Sequence, residues 1–302
     1  MKKQFDFIGK RVILFAIAGA FILCGVVSVF LRGFNVGQDF TGGTKMTFTL
    51  RSTEGENEVV SINGDVKKEV KGIVEGLGVS GVEVTDGEKG EVIVNTNFID
   101  GEKQLEVKKA IAEKYMVKDE EYSYESISGN VSRDLRDKAI IGSAIAVLLI
   151  LVYISFRFDW RSGIAAILCL VHDMLIMLFA YSLFAIPMDS NMIAAILTIF
   201  GYSINATIIV FDRVRENNRM NPKNTFAENV NIAVNKTFTR SLNTTLTTLF
   251  TIGMIYILGP ASIKDFALPI IVGVLAGLYS SVCLSSNFWV MLKGKKAFSK
   301  ED

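Results

Sequence analysis

Histidine is almost missing from this chain, with one in 302 residues, and cysteine occurs only three times. One imidazole and the scattered thiols Cys24, Cys169 and Cys283 make no cluster with metal-ligand spacing, so no metal site is expected. All three thiols fall inside apolar runs, which excludes a disulfide framework in an exposed domain and leaves packing as their role. Net charge is also lacking: 32 Lys and Arg against 31 Asp and Glu leave +1, and no basic field for nucleic acid. What the chain has instead is apolar surface. Half of its residues are hydrophobic and the mean hydropathy is +0.38, a balance that suits a membrane protein rather than one soluble core.

The charges fall in blocks. Between them run apolar stretches near Val12–Phe30, Ala139–Phe156, Ile164–Phe184, Met192–Phe211, Leu242–Leu258 and Phe266–Leu292. They hold 17 to 27 residues, enough at about 1.5 Å per residue to cross a hydrocarbon layer of about 30 Å. The fifth is the weakest, because threonines interrupt it. The first run is too long for an ordinary signal-peptide core and no A-x-A pattern follows it, so an uncleaved first span is expected. Lys2, Lys3, Lys10 and Arg11 precede span one, Arg157 and Arg161 separate spans two and three, and Arg213, Arg215, Arg219, Lys223, Lys236 and Arg240 lie between four and five. Lys293, Lys295, Lys296 and Lys300 follow span six, whereas the short loops on the other side hold only Lys264. Positive-inside asymmetry therefore puts both termini in the cytoplasm of a multi-pass membrane protein. The expected organisation is 1–30 as N-terminus and first helix, 31–138 as an extracytoplasmic α+β domain, 139–292 as helices two to six, and 293–302 as a cytoplasmic tail.

The exported segment alternates between strand and helix patterns. KMTFTL (Lys45–Leu50) reads as a strand and Asn63–Gly78 as an amphipathic helix with Val66, Val70, Ile73, Val74 and Leu77 on one face. Two strands flank a Gly-rich turn near Asp86–Gly90, and a second helix follows with Leu105, Val107, Ala110, Ile111 and Met116 turned inward. A polar strand near Tyr122–Ile127 completes a β-α-β-β-α-β order, that of a ferredoxin-like sheet with two helices on a single face. It carries no paired catalytic acids, no His and no Cys, which points to an interaction or positioning domain and not to an enzyme. GQDFTGGT (Gly37–Thr44) sits where span one meets this domain. A phosphate-cradling loop needs a strand before it and a helix after it. Here a membrane span precedes and a strand follows, so Gly42 and Gly43 are read as a shaped turn and Asp39 as its turn or capping acid. Nothing calls for a cofactor.

Spans three to five hold the polar groups. Asp173 lies about eleven residues, roughly 16 Å, from the cytoplasmic start of span three near Ser162, at mid-bilayer. An ionised carboxylate there costs at least about 2.5–3.5 kcal/mol on a lipid face, so it should face a bundle interior, a hydrated cavity or a partner. Desolvation favours the protonated form of a carboxyl group and an opposing arginine the ionised form, the sensitivity a proton carrier needs; the plainer alternative is a hydrogen bond to a neighbouring helix. His172 adjoins Asp173 but leaves the helix about 100° away, which disfavours a His–Asp pair and leaves it as packing residue or relay. In span four, Ser203, Asn205 and Thr207 come to the depth of Asp173, while Asp212, Arg213 and Arg215 mark the inner boundary. That cluster is either an interfacial snorkelling group or one in which Arg213 reaches inward. Span five opens with Arg240, Asn243, Thr244, Thr247 and Thr248, followed by Thr251, spaced for one polar stripe that either glues helices or lines a hydrated path.

Several stretches, in order, resemble SecF, the smaller member of the SecD/SecF protein-export family within the resistance-nodulation-division superfamily. They are GQDFTGGT, LVHDMLIML, LTIFGYSINATIIVFDRVREN, RSLNTTLTTLFT and LGPASIKDFALPIIVGVLAGLYSSVCLSS. The resemblance covers the chain nearly end to end and is thinnest in the exported domain. It implies pairing with SecD in the bacterial cytoplasmic membrane and association with the SecY/SecE/SecG channel. The pair would use a proton or sodium gradient to help an exported, unfolded polypeptide complete its crossing, with no covalent chemistry. The resemblance also implies that Asp173 is the functional acid of span three and Arg213 the functional arginine. One departure stands out: the family usually shows Asn-Asp-Thr after Tyr-Ser-Ile, and this chain has Asn205-Ala206-Thr207. Two other readings compete, half of a small-molecule exporter of the same superfamily and a passive translocon scaffold.

Overall fold

The computed structural model describes residues 5–52, 59–87 and 90–299, with backbone only at 155, 261 and 262. Lys2, Lys3, Lys300 and the middle of the expected Asp86–Gly90 turn lie outside the described residues. In chain order the elements are α1 (Arg11–Arg32), α2 (Gln38–Thr41), β1 (Gly43–Thr49), α3 (Gly64–Gly76), β2 (Glu83–Asp86), β3 (Glu91–Thr96), α4 (Gly101–Ala112) and β4 (Tyr122–Ile127). There follow α5 (Gly129–Arg157), α6 (Trp160–Leu183), α7 (Ser190–Met220), α8 (Phe226–Leu258), α9 (Ala261–Tyr279), a π-helical turn at Ser280–Leu284 and α10 (Ser285–Lys293). The chain forms two bodies, Val36–Ala139, and Met1–Asn35 together with Ile140–Asp302.

The smaller body is a four-stranded sheet in the order β2-β3-β1-β4 with every neighbouring pair antiparallel, the ferredoxin-like arrangement expected from the element order. Met46 and Phe48 of β1 and Val92 and Val94 of β3 point to one face and pack with Val70 and Val74 of α3 and Val107 and Ile111 of α4. All eight are 0 % exposed, and burying such side chains stabilises by about 1.5–3 kcal/mol each. Asn63 caps α3 by accepting from the amides of Asp65 and Val66, and Asp100 caps α4 by accepting from Lys103. On α4 it is Gln104, Val107 and Ile111 that face inward, against the sheet core. Leu105 and Met116, expected in the core, are exposed. At the expected turn, Gly42 and Gly43 have φ of +76° and +148°. A Cβ on Gly43 would come within 2.6 Å of the Thr96 carbonyl, so only glycine fits. Asp39 lies in the first turn of α2.

The larger body contains helices long and apolar enough to cross a membrane: α1, most of α5, α6, α7, α8, and the run from Ile263 to Ala297. Among the described residues there are six such segments, in the order expected. α6 packs on α1, α7, α9 and α10, and α9 packs in turn on α7 and α8. Two glycines make the α9–α7 approach close: a Cβ on Gly273 would lie 2.7 Å from Ile199, and one on Gly277 would lie 3.3 Å from Ser203. Small residues at such contacts are how spans associate where lipid competes equally for apolar surface. α5 turns Ile140, Ile141, Ile145, Leu148 and Leu149 outward, which is costly in water and costless in hydrocarbon.

Candidate functional site

Asp173 is fully buried, at 0 % exposure, where α6, α7 and the end of α9 meet. Its Oδ2 accepts from the hydroxyls of Ser203 on α7 at 2.5 Å and of Ser280 at 2.7 Å. Its Oδ1 lies 2.9 Å from Nδ1 of His172. Ionised, the carboxylate accepts three hydrogen bonds, one of them from a protonated Nδ1; protonated, it must itself donate one. A proton on Oδ1 would be donated to Nδ1 and switch the His172 tautomer, whereas a proton on Oδ2 would turn the Ser203 or the Ser280 hydroxyl away.

Ser280 reaches the acid from the end of α9, where it opens the π-helical turn. A single wide turn carries one more residue than an α-turn, displaces the side chains that follow, and recurs at functional sites. Ser280, Ser281, Ser285 and Ser286 are all buried around it, and the thiol of Cys169 donates to the Ser280 carbonyl at 3.6 Å. Sequence reasoning passed over these serines, although the stretch SSVCLSS in an apolar run was their signal.

The His172–Asp173 contact corrects the expectation that helix geometry keeps the two apart. Their Cβ directions do diverge, but Nδ1 and Oδ1 each lie two bonds beyond Cβ, and side-chain rotation brings them together. The His172 ring also lies beside Tyr279, with centroids 6.2 Å apart.

Other candidates are elsewhere. Ser203 and Thr207 face inward, whereas Asn205, two residues from each and so on the far side of α7, is exposed. Arg213 does not reach the acid. It stands ten residues, about 15 Å, further along α7 and pairs with Glu216 at 2.5 Å. Asp212 of α7 pairs at 3.4 Å with Arg157, the last residue of α5. Among the described residues His172 is the only ion-pair partner of Asp173. On α8, Arg240, Asn243, Thr244, Thr247 and Thr251 are exposed and Thr248 is half-buried. The threonine hydroxyls bond back to their own helix, Thr244 to the Arg240 carbonyl at 2.9 Å and Thr248 to the Thr244 carbonyl at 3.0 Å. The buried face of α8 offers Thr245 instead, which accepts from the Tyr202 hydroxyl at 2.8 Å. Sequence reasoning also missed a buried amide cluster where α7 turns into α8: Asn229 donates to Asn218 at 3.0 Å and to the Asn221 carbonyl at 3.1 Å. Among the described residues no group of three or more His, Cys, Asp or Glu is placed to hold a metal ion.

Six apolar spans, a ferredoxin-like body after the first of them and one buried intramembrane acid define a multi-pass helical membrane protein of the transport type. The family model described as protein export membrane protein SecD/SecF, C-terminal, matches residues 106–295. Protein translocase subunit SecF of Petrotoga mobilis is 34% identical over 98% of this chain and 98% of its own length. SecDF of Bacillus subtilis is 33% identical over 97% of this chain, which spans 39% of that longer protein. The crystal structure of SecDF from Thermus thermophilus, a translocon-associated membrane protein, superposes with a TM-score of 0.83 at 33% identity, again over 97% of this chain and 39% of that one. The chain belongs to the SecD/SecF family.

Proposed function

We propose that this chain is the SecF-type subunit of a protein translocase, non-enzymatic, which pairs with a SecD-type protein in the bacterial cytoplasmic membrane. Both termini lie in the cytoplasm, the segment 31–138 is exported, and a proton or sodium gradient drives late steps in the export of an unfolded polypeptide through a SecY/SecE/SecG-type channel. Asp173 carries the reading: it is a fully buried carboxylate whose proton inventory is shared with Ser203, Ser280 and His172. A proton taken up at Oδ2 loosens a hydrogen bond that joins α6 to α7 or to the end of α9, which couples ion transfer to helix packing. Membership in the SecD/SecF family and SecDF relatives in which the matching part is fused to a longer chain support pairing with SecD. So do the outward polar groups of α7 and α8. Asn205 and Asn243 are exposed on these spans, where lipid contact is expensive and a partner bundle supplies hydrogen bonds.

Asp173→Asn keeps the size and hydrogen-bonding capacity of the side chain but not its charge. The expected result in membrane vesicles is a protein that inserts and co-purifies with its SecD partner, while export loses its response to an imposed proton or sodium gradient. Undiminished gradient-driven export would remove the acid from the mechanism and favour a passive scaffold.

A further inference from the structure

A cavity of about 470 Å³ lies between α1, α6 and α9 in the membrane body, within the size range of ligand sites. Phe21, Phe179, Val272 and Leu275 supply apolar wall. The polar side chains on the wall are nearly all engaged. Ser28 is hydrogen-bonded to Ser182 at 3.3 Å, and the Tyr279 hydroxyl donates to the Leu14 carbonyl at 2.6 Å. His172 is different. It is 7 % exposed and lines the cavity; Nδ1 is held by Asp173 at 2.9 Å, and among the described residues no hydrogen bond reaches Nε2. A polar atom left without a partner in so apolar a place is costly.

The polarity of that atom follows from the acid beside it. An ionised Asp173 keeps the imidazole proton on Nδ1, so Nε2 presents a lone pair and needs a donor. A charged donor is expensive at this depth. The occupant is therefore neutral, apolar over most of its length, and carries an O–H. We propose that this cavity binds a hydroxyl-bearing membrane lipid whose O–H donates to Nε2 of His172, one imidazole away from Asp173. The site is independent of the translocase reading, since it needs only the cavity, the His172–Asp173 contact and a proton on Nδ1.

The test uses the full chain in vesicles of phosphatidylethanolamine and phosphatidylglycerol, with a diazirine-bearing hexadecanol and its methyl ether as probes. The ether matches the alcohol in apolar length but has no hydrogen to donate. Photolabelling by the alcohol is expected on peptides carrying Phe21, Phe179 and Val272, about fivefold above the ether, which corresponds to about 1 kcal/mol at 1.4 kcal/mol per decade. His172→Leu should equalise the probes, and Val272→Phe, by filling the cavity, should lower both. The native chain provides a second measurement: Cys24 lines the cavity and is exposed, so a membrane-permeant maleimide should modify it several-fold more slowly with the alcohol present than with the ether. Equal labelling and equal Cys24 protection by the two probes in the wild-type chain would mean that bulk hydrocarbon or water fills the space, and would overturn the proposal. Labelling spread evenly over the spans would do the same.

Discussion

Removing the Ser203 hydroxyl tests the geometry at Asp173 without touching its charge. The Ser203 hydroxyl donates to Oδ2 of the acid, and the strength of that bond reports the charge on its acceptor. A hydrogen bond to a charged acceptor contributes about 1.5–3 kcal/mol, against about 0.5–1.5 kcal/mol for a neutral one. Combining Ser203→Ala with Asp173→Leu in a double-mutant cycle isolates this pair from the general cost of each substitution. The expected coupling is about 1.5–3 kcal/mol, or about tenfold to a hundredfold in the unfolding equilibrium. It is read from reversible unfolding of the full chain in mixed micelles of rising denaturing-detergent fraction. The same cycle with Ser280→Ala should give less, because the Ser280 hydroxyl also lies 3.3 Å from the Gly277 carbonyl, an alternative acceptor on its own helix. Couplings below about 0.5 kcal/mol at both serines, within the ordinary additivity error, would refute the idea that the two hydroxyls hold the acid. A value near 1 kcal/mol would instead indicate a neutral carboxyl.

Asn205→Leu should leave the stability of the isolated chain within about 0.5 kcal/mol of wild type, since the side chain is exposed on α7. It should weaken recovery of a SecD-type partner about threefold to tenfold, the effect of one interhelical hydrogen bond; unchanged pairing, or a strongly destabilised isolated chain, would put Asn205 somewhere other than the partner face. In the ferredoxin-like body, hydrogen bonding from the Arg51 guanidinium holds the Glu121 carboxyl below the usual carboxylate range, with burial opposing it. A carboxyl depressed in the folded state contributes stability that is present above its unfolded value and lost as pH falls through the folded one. Protection of β1 and β4 amides, corrected for intrinsic exchange, should accordingly decline in mild acid, and Glu121→Gln should flatten that decline. An identical pH profile in the variant would exclude the Arg51–Glu121 pair as its cause.

Much of this molecule is legible in its residues because the determining physics is local. Run length and hydropathy decide whether a segment spans a bilayer, and the six runs anticipated six helices. Alternation of period two and caps at Asn63 and Asp100 delimit the strands and helices of the sheet domain, and Tyr122–Ile127 falls where its pattern placed it. Even Asp173 was legible, since a lone carboxylate at mid-span has few fates. What escaped was azimuth. A polar residue in a span can turn toward its own bundle or away from it, and local spacing does not say which. Asn205 was placed only by depth and the stripe of Asn243, Thr244 and Thr247 was left open as helix glue or a hydrated path; all four face outward, while Ser280 was given no role and holds the acid.

The sequence by itself determined the number of apolar helices, the place of the ferredoxin-like body after the first of them and the position of one acid in the middle of the third, because hydropathy, period and length act within some twenty residues of chain. Only tertiary structure decided the company that acid keeps. Ser203 and Ser280 stand 30 and 107 residues from Asp173, and they meet it because Gly277 lets α9 close on α7 while the end of α9 packs on α6. The His172 contact was decided there too, since neighbours that diverge at Cβ converge only when the surrounding helices select the side-chain rotamers that join them.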